Sequence, residues 1–417
     1  MITIKGSNAG SVGFVELSGA KNSILPVIAA ACICDGNVII HNAPIHLNDV
    51  QVMINVLNHA GFKISIQQND IVFDNSTIDE LDSVLSDDTQ KIRYSLLMLS
   101  IFLCRTGCVS MTPPGGCNLG DRKYDIHLDS LRKMGAIIEE DGRIRGRSAN
   151  GLHGDDLHFR IATTSGSENV IIAACRAEGI TRIYNANTRP EVIELIEFLR
   201  CAGADISYST RYVEVRGVKK LTGCEYSVMP DRHEALTYML FAAITRGEIC
   251  IKNFNTKNIE EDVRLLREIG VNVFEWSNNV YVSAKNRDLK PFSLCTSPYP
   301  GINSDTQPLF AALAATIPGE SIITDTRFPD RFQYVDEFVK MGIDIKNYEN
   351  CAIVNHSDII GNEVVACDLR AGAALMMLGC VAKGVTKISN EYQIKRGYQN
   401  LTNSFRELGF EVEETSD

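Results

Sequence analysis

The chain has 417 residues, 45% of them hydrophobic, and carries 52 acidic against 41 basic side chains, a formal charge of −11. That is enough chain for two or three domains with large cores, and the acidic excess argues against general nucleic-acid binding. No apolar run reaches the length of a membrane span and no leader pattern opens the chain. The 13 cysteines, spread through apolar segments without CxxC pairs or metal-site spacing, read as small hydrophobes of a reducing cytosol.

The chain repeats itself. A helix-like run followed by Gly-apolar-x-Ile/Val recurs at Gly61, Gly135, Gly203, Gly270, Gly342 and Gly409, at intervals of 67 to 74 residues. In the first copy an apolar helix is expected over Ala20–Ala31 and a strand over Asn37–Asn42. A second, amphipathic helix follows over Asp49–Ala60, with Val50, Met53, Ile54 and Leu57 at helical spacing. Gly61 then suits a left-handed cap, after which a strand resumes. The second copy opens at Gln90, the third near Thr164, the fourth at Pro230, the fifth near Asn303 and the sixth at Cys367. A unit this small cannot bury its sheet alone, so the copies must pack on one another. Their spacing predicts compact α/β modules rather than an open superhelix.

Several segments carry chemistry. In Ser18-Gly19-Ala20-Lys21-Asn22 a lysine stands at a helix start, where free N–H groups and an ammonium make an anion site; the alternative is a snorkelling lysine. Pro113 to Arg122 is a Pro/Gly-rich segment holding Cys117 beside Arg122. An exposed, electropositive thiol there is activated, and Cys117 stands out from the other cysteines, unless it is incidental to the loop. Arg93, Arg232, Arg331, Arg370 and Arg396 recur at similar repeat positions. They read as a converging clamp for phosphate and carboxylate, or one by one as surface ion pairs. Asp305, in Asn303-Ser304-Asp305-Thr306-Gln307, is either a helix N-cap or a base aimed into a cleft.

Taken together, Ser18–Asn22, Pro114–Gly120, Pro230-Asp231-Arg232, Asp368–Ala371 and Arg396-Gly397-Tyr398 resemble the UDP-N-acetylglucosamine 1-carboxyvinyltransferase family of enolpyruvyl transferases, with the EPSP synthases as sister enzymes. The likeness runs end to end. It implies an inside-out α/β barrel fold: two pseudo-threefold domains, 22–229 and 1–21 plus 230–417, built from six βαβαββ repeats, with the active site in the cleft between them. It implies transfer of enolpyruvyl from phosphoenolpyruvate to the 3'-hydroxyl of UDP-N-acetylglucosamine by addition and elimination. That reaction is the first committed step of peptidoglycan synthesis, cytoplasmic and without cofactor or metal. By the same resemblance Lys21, Arg122 and Arg396 bind phosphoenolpyruvate, assisted by Arg331 and Arg370. Asn22 orients the sugar and Arg93 contacts the nucleotide-sugar or phosphate. Asp305 accepts the hydroxyl proton, Cys117 protonates the methylene carbon, and Asp368 lies beside the transferring carbon. The loop bearing Cys117 would close as a lid.

The nucleotide pocket departs from the family pattern. The uracil run usually reads Arg-Pro-Val/Ile-Asp and here reads Arg122-Lys123-Tyr124-Asp125-Ile126, followed by His127. The diphosphate segment reads Ala162-Thr163-Thr164-Ser165-Gly166 in place of Lys or Pro followed by Ser-Val-Gly. A small apolar position is Arg327. Lys123 or Arg327 could replace the lost cation, or the changes could mark another acceptor such as UMP. A non-catalytic binding paralogue is the remaining alternative.

Overall fold

The computed structural model describes residues 1–78, 80–115 and 123–415. They form two compact units, one of Gly19–Met229 and one of Met1–Ser18 with Pro230–Asp417. The first unit holds α1 (Lys21–Cys32) and α2 (Asn48–His59), α3 (Leu97–Arg105) and α4 (Asp125–Lys133), α5 (Thr164–Ala174) and α6 (Pro190–Cys201). The second holds α7 (Arg232–Ile244) and α8 (Glu260–Ile269), α9 (Gln307–Ala314) and α10 (Val335–Lys340), then α11 (Leu369–Val381), a short α12 (Tyr392–Lys395) and α13 (Leu401–Glu407). The second repeat opens less directly than expected: two 3₁₀ turns, Asp87–Lys91 and Arg93–Leu96, precede α3.

Each unit carries three small sheets, and none closes on itself among the described residues. Five of the six sheets share one strand order. Glu225–Ser227 pairs parallel to Val38–His41, which pairs antiparallel to Asp70–Phe73 and so to Ile64–Gln67. In the second repeat a single parallel bridge, Val84 to Ser110, stands where the other sheets have an edge strand. Strands such as Asn279–Ser283 alternate buried and half-buried side chains, so each sheet turns one face to the core.

The repeats have a local cause. Beyond its polar first three residues α1 is apolar on all sides, and it is buried along almost its whole length, as is α11. The amphipathic helices each end at the repeat glycine, and all six glycines are left-handed, with φ between 80° and 112°. Without a Cβ, glycine meets no steric penalty there. The chain then returns to bond the carbonyl just before each glycine. The donors are the N–H groups of Asp82 to Ala60, His153 to Met134, Thr222 to Ala202, Lys290 to Ile269, Ile360 to Met341 and Val12 to Leu408. Pro26 within α1 cannot donate to the carbonyl of Asn22, and the Tyr94 hydroxyl donates to that oxygen instead at 3.4 Å. No helix among the described residues is long and apolar enough to cross a membrane.

Candidate active site

In the Gly19–Met229 unit, Lys21 is the first residue of α1, behind a cap residue, Ala20, that has no side chain to bond the helix start. It does not snorkel. Its Nζ lies 2.8 Å from Asp49 Oδ2, and the two side chains are only 8% and 4% exposed. Asp49 was not singled out by sequence reasoning, although the signal exists: it sits four residues before Met53 on the buried side of α2, an acid inside an apolar stripe.

Arg93, half-buried, donates through Nη2 to the Lys123 carbonyl at 3.1 Å and lies 5.8 Å from the Tyr124 ring centroid. Burial, followed by the nearby Glu140, raises the Tyr124 phenol above its usual range. Asp125 starts α4 and is gripped by Arg160 at 2.6 Å, while Ile126 packs half-buried on the core. His127 lies 3.1 Å through Nε2 from the Ser165 hydroxyl. Burial, helped by Arg93, pushes the imidazole down to about 3, so it is neutral at pH 7. The two departing segments are therefore joined by a neutral hydrogen bond between side chains.

At the head of α5, the Thr163 carbonyl accepts from both the Ser167 N–H and its hydroxyl, and Asn187 Nδ2 donates to the Thr164 hydroxyl. Any Cβ on Gly166 would stand 2.4 Å from Thr163 Cγ2, so this turn admits only glycine without a shift. One turn further on, Glu168 is fully buried, and neither carboxylate oxygen has a hydrogen-bond partner among the described residues. It lies beside the Arg189–Glu191 ion pair. Burial pushes Glu168 up to about 8 against the pull of Arg189, with Glu191 adding to the rise. Because the folded carboxyl holds its proton far above the unfolded value, its share of stability is present below about 4.5 and is lost as pH climbs toward about 8. Glu168→Gln should therefore flatten the fall in melting temperature between about pH 4.5 and about pH 8. Parallel curves for the two proteins would refute the assignment.

In the other unit, Asp305 does not cap. That role falls to Asn303, whose Oδ1 accepts the Asp305 N–H at 3.0 Å. The Asp305 carboxylate is left to receive Arg331 Nη1 at 2.6 Å. Arg331, itself 3% exposed, also donates to Ser304 Oγ at 3.3 Å. The anchor beneath is Asp325, wholly buried, which accepts from the Thr296 and Ser304 hydroxyls and from the N–H groups of Arg327 and Phe328. Arg327 is thus pinned by its backbone while its exposed guanidinium lies over the Phe328 ring, 5.4 Å from the centroid.

Asp368 caps α11, accepting from the N–H groups of Arg370 and Ala371 at 2.8 and 2.7 Å. Arg370 is 1% exposed and stacks 4.8 Å from the centroid of Tyr398, whose hydroxyl meets the Thr237 hydroxyl at 2.7 Å. Its Nε and Nη1, like Arg331 Nε, have no hydrogen-bond partner among the described residues. Burial opposes the charge of both arginines. The acidic surroundings (Tyr398, Asp231 and Asp305 for Arg370; Asp305, Asp368 and Asp325 for Arg331) outweigh it and raise both pKa values. Arg396 and Arg232 are also buried, the first donating to Gln393 Oε1 and the second to the Asn258 carbonyl. The reading of these four arginines as ordinary surface charges therefore fails. His233, buried and kept neutral by burial and by Arg232, lies with Nε2 3.4 Å from Asn303 Nδ2, behind the cap that holds Asp305.

Cys117 and Arg122 lie outside the described residues. Of the other cysteines, Cys108, Cys201 and Cys295 are exposed and the rest are buried or half-buried. Among the described residues no cluster of three or more His, Cys, Asp or Glu side chains has the geometry of a metal site.

What the geometry offers is cations in each unit, Lys21 and Arg93 in one and Arg331 and Arg370 in the other, with Lys21 and Arg370 at helix starts and a carboxylate, Asp305, held by Arg331. A family model described as EPSP synthase (3-phosphoshikimate 1-carboxyvinyltransferase) matches residues 8–405. Relatives named UDP-N-acetylglucosamine 1-carboxyvinyltransferase are 38% identical in Coxiella burnetii, covering 97% of this chain and 94% of theirs. One from Caldanaerobacter subterraneus is 37% identical, covering 96% of each. Among solved structures, the enolpyruvyl transferase NikO from Streptomyces tendae superposes with a TM-score of 0.89 at 21% identity, over 99% of this chain and 98% of that one. EPSP synthase from Acinetobacter baumannii superposes with a TM-score of 0.75 at 19% identity, over 99% of each chain. From the family match and the near full-length relatives, the chain belongs to the EPSP synthase family of enolpyruvyl transferases.

Proposed function

We propose that this chain transfers the enolpyruvyl group of phosphoenolpyruvate to the 3'-hydroxyl of UDP-N-acetylglucosamine, releasing phosphate, as the first committed step of peptidoglycan synthesis in the cytoplasm. The observation that carries the reading is the pair Arg331 and Arg370, buried with donors left over beside a fixed carboxylate. A buried cation with unused donors suits an anionic ligand such as phosphoenolpyruvate.

In this reading the two units are the two pseudo-threefold domains, each an inside-out assembly of three βαβαββ repeats, divided at 22–229 against 1–21 with 230–417. Lys21, Arg122 and Arg396 hold the donor with help from Arg331 and Arg370. Asn22 orients the acceptor and Arg93 takes its phosphate. Lys123, Tyr124, Asp125 and Ile126 meet the base, and Thr163, Thr164, Ser165 and Gly166 meet the diphosphate near Arg327. Asp305 takes the 3'-hydroxyl proton as the oxygen attacks carbon 2, while Cys117 delivers a proton to carbon 3. Asp368 flanks the tetrahedral carbon, and elimination then removes a proton from carbon 3 and expels phosphate. Addition to an enol phosphate needs these three functions: a base, an acid and fixed cations.

A second reading keeps the donor chemistry with a smaller nucleotide such as UMP as acceptor. It is favoured by the Ser165 hydroxyl, which is already engaged by His127 rather than free for a diphosphate. Phosphate release from phosphoenolpyruvate separates the readings, with UDP-N-acetylglucosamine, UMP and shikimate 3-phosphate offered in turn. Turnover with UMP but not the sugar nucleotide would overturn the first acceptor, and no turnover with any would sink the enzyme reading. Cys117→Ala should remove most turnover and sensitivity to fosfomycin without altering the melting temperature; unchanged phosphate release would reject Cys117 as the proton donor.

A further inference from the structure

We propose that Cys201 and Cys224 form a built thiol pair that a low-molecular-weight disulfide converts to an intramolecular disulfide. Cys201 is the last residue of α6 and is exposed, whereas Cys224 is half-buried just before the strand Glu225–Ser227. The segment holding Cys224 is tied back onto α6 at several points. Thr222 donates to the Ala202 carbonyl through its N–H at 2.8 Å and its hydroxyl at 3.1 Å, and the Tyr226 hydroxyl donates to the Glu194 carbonyl at 3.4 Å. The Phe198 and Tyr226 rings pack edge to face at 5.6 Å. Cys201 Sγ thereby lies 3.8 Å from the carbonyl of Glu225, the residue that follows Cys224.

The internal repeats show that this proximity is a property of the fold and the cysteines a property of this copy. Counting from the returning hydrogen bond, the positions equivalent to 201 and 224 are His59 and Val84, Lys133 and Asp155, Glu268 and Phe292, Lys340 and Asn362, and Glu407 and Phe14. In the fifth copy the Asn362 side chain donates to the Lys340 carbonyl at 2.6 Å, so a side chain at the second position does reach the first. Only the third copy puts cysteine at both.

The chemistry runs in two exchanges. The exposed Cys201, as thiolate, attacks one sulfur of the small disulfide, whose S–S bond breaks and releases one thiolate that takes a proton. Cys224 then gives its proton to solvent and attacks the Cys201 sulfur, forming the protein disulfide and expelling the second small thiol. Two protein thiols lose two electrons and two protons, and one disulfide becomes two thiols. Burial, the largest cause, raises the Cys224 thiol above its usual range and persists after Cys201 has formed the mixed disulfide. The second exchange is therefore the slow one, and the mixed disulfide at Cys201 precedes the closed pair.

The test uses the full chain with oxidised glutathione as probe, acid quenching, alkylation and peptide mass mapping. The expected result is a transient glutathione adduct on Cys201, then a cross-linked 201–224 peptide pair and loss of both alkylatable thiols, reversed by dithiothreitol. Cys224→Ser should stop at the Cys201 adduct, and Cys201→Ser should leave Cys224 unmodified over the same time. Matched thermal melts of the reduced proteins show that each variant is folded. A persistent adduct on wild-type Cys201 without the cross-link, or Cys201 joined to a different cysteine, would overturn the proposal.

Discussion

Asp305→Asn is expected to lower kcat for phosphate release by about 10²- to 10⁴-fold, the span typical of losing a positioned base. Asparagine keeps the shape of the side chain and an acceptor for Arg331 Nη1, now 2.6 Å from Asp305 Oδ1, but it cannot take a proton. Asn303 still caps the turn through the backbone N–H of residue 305, so the local fold has no reason to change. Arg331 is held also by Ser304, and the KM for phosphoenolpyruvate should move by only a few-fold. Steady-state kinetics decides the matter: a kcat within tenfold of wild type would remove Asp305 from the role of base. A KM increase with unchanged kcat would make it a binding group instead.

Lys21→Met should cost both stability and turnover, and the second-site variant separates the two. Lys21 and Asp49 form an ion pair that is nearly dry, and removing one member of such a pair typically destabilises by about 3–5 kcal/mol. In the double variant Lys21→Met/Asp49→Leu no carboxylate is left buried without its cation, and much of the lost stability should return. Turnover should not return, because the ammonium at the start of α1 would bind the donor phosphate. Denaturant melts with phosphate-release assays on wild type, Lys21→Met, Asp49→Leu and the double variant give the cycle. If the double variant regains turnover, Lys21 is a structural residue only.

The parts of this fold that were legible in the chain are those with local causes. The six glycines stood out because a left-handed residue after a helix wants glycine, and each has the expected positive φ. The start of α1 at Lys21 followed from an apolar run headed by a polar residue. The start of the second repeat slipped because Asp87–Leu96 winds as 3₁₀ turns that apolar periodicity does not reveal. Asp305 was ambiguous between cap and base because both fit Asn303-Ser304-Asp305; the cap reading fell to Asn303, whose side chain accepts the Asp305 N–H, while Arg331, 26 residues away, reaches the carboxylate.

Sequence alone thus determined the repeat, the helix starts and the set of charged residues worth watching, since each depends on a few neighbouring residues. Only the tertiary structure decided which charges are dry and what faces them. Asp49 meets Lys21, Ser165 meets His127 across 38 positions, Asp325 gathers four donors, and Cys224 folds back onto Cys201. The reason is physical: the strength of a charge or the reactivity of a thiol is set by the burial and the partners that long-range packing supplies, and chain-local pattern carries neither.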